Sequence, residues 1–106
     1  KGMTSCFEQP HQYDLSILPY LEETIANRIQ FNDDKSYCAM IARRGKKRAA
    51  QKVGEEGVEV ALAATSGDKA ELVCESADLV YHLLVLLQDQ GLSLNDVINK
   101  LKQRHN

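Results

Sequence analysis

Five carboxylates fall at spacings that could do chemistry. Glu55, Glu56 and Glu59 lie in the stretch Gly54-Glu-Glu-Gly-Val-Glu59, and Glu75 and Asp78 lie in Glu75-Ser-Ala-Asp78. Side chains three or four residues apart share one face of a helix. Glu56 and Glu59 then project together, and so do Glu75 and Asp78. Two antiparallel helices could aim these pairs at each other. Four or five converging oxygen donors are what a hard divalent cation needs. Without a cation, that many like charges would repel.

Most Glu-rich helix faces are plain solvated surface, and short motifs are unspecific. Three details count against surface here. Glu55 and Glu59 form a like-charge i,i+4 pair, which costs a few tenths of a kcal/mol on an ordinary helix. Glu75 and Asp78 have no Lys or Arg three or four residues away. Gly54 and Gly57 interrupt a helical pattern at about 1 kcal/mol each relative to Ala, which suggests that something approaches the backbone closely. Each detail alone could be chance; their conjunction favours a metal site with Glu56, Glu59, Glu75 and Asp78 as ligands.

The densest positive cluster, Arg43-Arg-Gly-Lys-Lys-Arg48, stands just before the acids, and Lys52 follows one turn later. Lys46, Lys47 and Arg48 occupy the expected first turn of a helix, where cations oppose the dipole. A bound phosphate would remove that conflict. Lys47, Arg48 and Lys52 are therefore the candidates for binding substrate phosphate; Arg43 and Arg44 also suit the end of the helix before them. Carboxylates beside phosphate-binding cations describe a site for a Mg²⁺-polyphosphate. A carboxylate not fully used as a ligand, Glu55 or Glu56, could accept the proton of an attacking water. His82 follows Asp78 by four residues, but a lone His in an apolar helix is more often structural than catalytic. Tyr37 and His82 are candidates for substrate contact or for packing alone, and Cys38 and Cys74 are expected to behave as small apolar residues.

The elements that must position these groups read as helices throughout. A first helix is expected over 16–30 with Leu18, Leu21, Ile25 and Ile29 as its apolar stripe. Pro19 falls near its first turn, where proline is tolerated. Ser36 caps a short helix to Arg44, ended by Gly45. A third helix spans 46–65. Asp68 opens the fourth, with Glu71 three residues on as a capping box, and Gly91 stops it. Ser93 caps the last helix, with Val97, Ile98 and Leu101 facing inward. The fourth helix is apolar almost all round from Leu79 to Leu87, as a central or interface helix would be. Its polar stripe, Glu71, Glu75, Asp78 and His82, is either a solvent face or one wall of a groove shared with Glu56 and Glu59.

The bulk numbers bound the rest. With 106 residues the chain is one domain. A net charge of −2 argues against nucleic-acid binding. No apolar run approaches the ~20 residues of a membrane span. Three cysteines at irregular spacing make no disulfide framework and fit a reducing cytoplasm.

The pattern Glu-Glu-x-x-Glu followed by Glu-x-x-Asp resembles the MazG-like all-α nucleoside triphosphate pyrophosphohydrolases. The text around it, Lys47-Arg-Ala-Ala-Gln-Lys-Val-Gly-Glu-Glu-Gly-Val-Glu-Val-Ala-Leu-Ala-Ala64 and Glu75-Ser-Ala-Asp-Leu-Val-Tyr-His-Leu-Leu-Val-Leu-Leu87, is similar to the phosphoribosyl-ATP pyrophosphohydrolase family of histidine biosynthesis, from about Leu18 to His105. The resemblance implies an all-α bundle of four to five helices, dimeric and Mg²⁺-dependent, with the groove rather than the solvent face. It also implies the substrate, 1-(5-phosphoribosyl)-ATP, cut at the α–β phosphoanhydride to phosphoribosyl-AMP and pyrophosphate. A house-cleaning nucleotide pyrophosphatase would use the same five acids, although the Gly45-x-Lys47-Arg48 segment and the fourth helix favour the first reading. A non-enzymatic helical dimerisation module would need no Mg²⁺.

The start of the chain carries a second resemblance. Gly2-x-x-Ser-Cys-Phe7 resembles the end of a phosphoribosyl-AMP cyclohydrolase domain, where the cysteine matching Cys6 is a zinc thiolate. Residues 1–13 are thus expected to be an irregular remnant of a preceding domain, and 14–106 the pyrophosphohydrolase domain. Zinc is not expected to be held, since a zinc site needs three or four ligands and only Cys6 and His11 are at hand.

Overall fold

The computed structural model describes residues 13–31 and 35–105. The expectations for Cys6, His11 and most of the 1–13 tail lie outside the described residues.

Short polar residues start the helices. Ser36 is extended (φ −87°, ψ 128°) and its Oγ accepts from the Ala39 amide at 3.3 Å, opening α2, Tyr37–Arg43. Asp68 does the same for the Glu71 amide at 3.0 Å, opening α4, Lys69–Asp89. Ser93 and Asp96 exchange side-chain and backbone bonds in a capping box at the head of α5, Leu94–Arg104. Glycines turn the chain between helices. Gly45 (φ 92°) separates α2 from α3, Lys46–Ser66, and Gly67 (φ 82°) ends α3 in the left-handed region that residues with a Cβ avoid. The first helix, α1, runs Ile17–Gln30 and takes Pro19 in its first turn. Among the described residues there are five helices and no strand, so the chain is all-α as its periodicity requires.

Only Gly67 and Asp68 separate α3 from α4, so the two run antiparallel, and they form the most extensive helix pair. α1 packs on α4, and α2 wedges against α1, α3 and α4. Ile25, Cys38, Ile41, Ala49, Leu84 and Val85 make the buried core, surrounded by Leu18, Leu21, Ile29, Met40, Tyr81, Leu86 and Leu94. α5 is tied to the rest by Glu22 of α1, whose Oε2 accepts from the Leu94 amide at 2.8 Å and from Gln88 Nε2 at 3.2 Å. That carboxylate sits at a helix N-terminus, where negative charge is favoured.

Two expectations are corrected. Ile98 and Leu101 do not face inward in the single chain; they are 39% and 51% exposed, because only the first turn of α5 reaches the core. Cys38 is buried as expected of an apolar residue, but Cys74 is exposed on α4. A Cβ at Gly54 or Gly57 would meet nothing within 4 Å among the described residues, so whatever approaches these glycines is not a described part of this chain.

Candidate metal and phosphate site

The antiparallel pair brings the two acidic faces together. The i,i+3 spacing sets Glu75 and Asp78 on the side of α4 that faces α3, and Glu56 meets them from across the contact. One carboxylate oxygen from each of Glu56, Glu75 and Asp78 lies within 4.8 Å of the other two. Glu59 is not in that trio but stands beside it, close enough to Glu56 and Glu75 to bear on their protonation. Glu55 points elsewhere. Its carboxylate pairs with Arg48 at 3.6 Å and with Lys52 at 3.5 Å. These cations offset the repulsion that the Glu55–Glu59 spacing implied.

Crowded acids change each other's protonation. A hydrogen bond shared with Glu59, and then burial, raise the Glu56 carboxyl above its ordinary value. The same bond lowers Glu59. Burial and then the neighbouring Glu59 push Glu75 up to about 7, with Glu71 adding to the effect. Glu75 Oε2 is buried and has no hydrogen-bond partner among the described residues. A buried carboxylate oxygen left unpaired is costly, and a cation is the partner that would satisfy it. An all-oxygen donor set with surplus negative charge fits a hard divalent ion such as Mg²⁺.

Positive charge borders the acids on one side. Burial alone would lower the Lys52 ammonium, but the Tyr37 hydroxyl, Glu56 and Glu55 together raise it, so Lys52 stays charged. Arg48 Nε is buried without a hydrogen-bond partner among the described residues. Lys47 is exposed one residue away. On the other side a cavity of about 280 Å³ opens, lined by Glu59, Leu62, Ala63, Ser66, Glu71 and Glu75. Glu71, expected as a cap residue and part of the α4 stripe, also bears on the cluster, and its place four residues before Glu75 is the signal for it.

His82 is turned inward and 8% exposed. Its Nε2 lies 2.8 Å from the Tyr37 hydroxyl, its Nδ1 2.7 Å from the Asp78 carbonyl oxygen and 3.8 Å from Glu56 Oε1. Tyr37, the first residue of α2, keeps 41% of its surface exposed.

Fold and site together define an all-helical domain with a carboxylate cluster of metal-ligand type between two helices and cations at its edge. The phosphoribosyl-ATP pyrophosphohydrolase family model matches residues 18–105, and the chain belongs to that family. It is similar to the histidine biosynthesis bifunctional protein HisIE of Vibrio vulnificus strain YJ016, 65% identical over 98% of this chain and 50% of the relative. The protein of the same name from Vibrio parahaemolyticus is 64% identical over 98% of this chain and 50% of its own length. That from Photobacterium profundum is 61% identical over 99% and 53%. The chain thus spans about half the length of the curated relatives it matches.

Proposed function

We propose that this chain hydrolyses the α–β phosphoanhydride of 1-(5-phosphoribosyl)-ATP, releasing phosphoribosyl-AMP and pyrophosphate, in the histidine pathway of the cytoplasm. The observation that carries the reading is the convergence of Glu56, Glu75 and Asp78 across the α3–α4 contact, in a chain of this family. Glu56, Glu75 and Asp78 would hold Mg²⁺, with Glu59 at the margin. When bound, the ion supplies neutralisation of phosphate charge and activation of the attacking water. Lys52 and Arg48, with Lys47 beside them, bind and orient the phosphates. Glu55 is engaged by two cations, so Glu56, which faces the cluster, is the better acceptor for the water's proton. The test is to offer purified protein phosphoribosyl-ATP, ATP and dCTP with Mg²⁺ and to measure pyrophosphate. Release from phosphoribosyl-ATP alone is the expected result; equal release from all three would favour the house-cleaning reading.

Lys52→Ala should act on affinity. Losing one charge-assisted phosphate contact should raise KM about tenfold, which is about 1.4 kcal/mol, with kcat changed much less. If KM is unmoved in steady-state assays, the phosphate role given to this segment is wrong.

The same reading includes a homodimer. Val58 and Leu62 on α3, and Val73 and Val80 on α4, are 59%, 62%, 69% and 44% exposed. Each pair lies on one helix face, and Gly54 continues the α3 stripe with open space above it. Apolar stripes on adjacent helices suit a second copy of the chain. Sedimentation should give twice the 11.9 kDa chain mass at micromolar concentration; a species at the single-chain mass would refute the dimer.

A further inference from the structure

Asp78 presents its backbone carbonyl to His82 Nδ1 at 2.7 Å. A carbonyl oxygen only accepts, so Nδ1 must carry the hydrogen. In the neutral ring Nε2 is then bare, and the Tyr37 hydroxyl at 2.8 Å must donate to it. The ring has no freedom to choose otherwise. Tyr37 and Tyr81 both meet it edge-on, with centroids 5.5 Å away and interplanar angles of 89° and 88°. Turning the imidazole over would put carbon atoms where both nitrogens now bond, and at 8% exposure little water could replace the lost bonds. So fixed, the Nδ1–H edge lies between the Asp78 backbone and Glu56 Oε1, 3.8 Å away. The Tyr37 oxygen, donating its hydrogen bond to His82, keeps lone pairs that remain able to accept.

We infer that Tyr37 and His82 are a positioning pair, in which the phenol locks the imidazole as its Nδ1–H tautomer and the imidazole fixes the Asp78 backbone and sets its N–H edge against Glu56, beside the point where the acids converge. The inference rests on the metal reading given above. It places His82 behind the carboxylates, where it orients them and does not touch substrate. Tyr37 ties α2, which carries it, to α4 through His82. Groups that orient metal ligands typically alter metal affinity or activity by about 10–100-fold when removed.

The test uses Mn²⁺ alone, counted by its electron paramagnetic resonance signal, with long-range ¹H–¹⁵N spectra of the histidines and an unfolding midpoint for each variant. Wild type should bind Mn²⁺ and show a protonated Nδ1 and an unprotonated Nε2 at His82. Tyr37→Phe keeps the ring but loses the hydroxyl. It should bind Mn²⁺ about tenfold more weakly, with the His82 tautomers mixed. His82→Asn keeps a donor near the Nδ1 position and should retain more affinity than His82→Ala. A lower unfolding midpoint in Tyr37→Phe with unchanged Mn²⁺ affinity would mean a merely structural bond and would overturn the inference, as would an Nε2–H tautomer in wild type. A wild-type protein that binds no Mn²⁺ would remove the metal reading itself, and this inference with it.

Discussion

Glu75→Gln, Asp78→Asn and Glu56→Gln should each lower kcat/KM by at least about 100-fold, or about 2.7 kcal/mol of transition-state stabilisation. The folded state should not suffer in any of them. The amides keep the shape of the acids, and each removes a negative charge from a cluster whose members already repel. This separates the site from the core, where truncating a fully buried leucine such as Leu84 costs about 2–5 kcal/mol of stability. Glu55→Gln should be milder, because Glu55 is occupied with Arg48 and Lys52. Steady-state kinetics and thermal unfolding on the same samples decide the matter. Near wild-type turnover in two of the three cluster variants would sink the assignment.

The stability of the metal-free protein should fall as pH rises from 4.5 to about 7. Glu75 titrates at its ordinary 4.5 in the unfolded chain but is pushed up to about 7 in the fold, by burial and then by Glu59. The folded protein therefore keeps a proton that the unfolded chain has already lost. The stabilisation is complete below 4.5 and gone once the pH passes about 7. Glu56 shifts in the same sense. Glu59 is lowered and acts oppositely, its contribution being lost as pH falls, so Glu75 sets the window. Mg²⁺ added above that window should raise the unfolding midpoint again, since a ligand at 100 times its Kd stabilises by about 2.7 kcal/mol. A metal-free unfolding midpoint that is flat across the window, or a Glu75→Gln variant with the slope of the wild type, would contradict this.

Helices and their ends were legible in the chain because their causes are local. Ser36, Asp68 and Ser93 bond to amides three residues on, and Gly45, Gly67 and Gly91 follow the ends of α2, α3 and α4, so these boundaries follow from neighbours in sequence. The pairing of Glu56 with Glu59 and of Glu75 with Asp78 was legible for the same reason: a turn of 3.6 residues sets it. The inward face assigned to Ile98 and Leu101 failed because amphipathic spacing names a face, not what covers it.

The sequence by itself thus determined an all-α chain carrying two acidic helix faces and a basic segment just before the first of them. Only the tertiary structure decided which acids converge. Rotation of α3 about its axis sends Glu56 to Glu75 and Asp78, leaves Glu59 at the margin and turns Glu55 to Arg48 and Lys52. The Tyr37–His82 bond joins residues 45 apart, and Glu22 reaches Leu94 across 72. Such contacts depend on how whole helices pack, through the summed burial of Ile25, Ile41, Leu84 and Val85, and no local spacing in the chain encodes them.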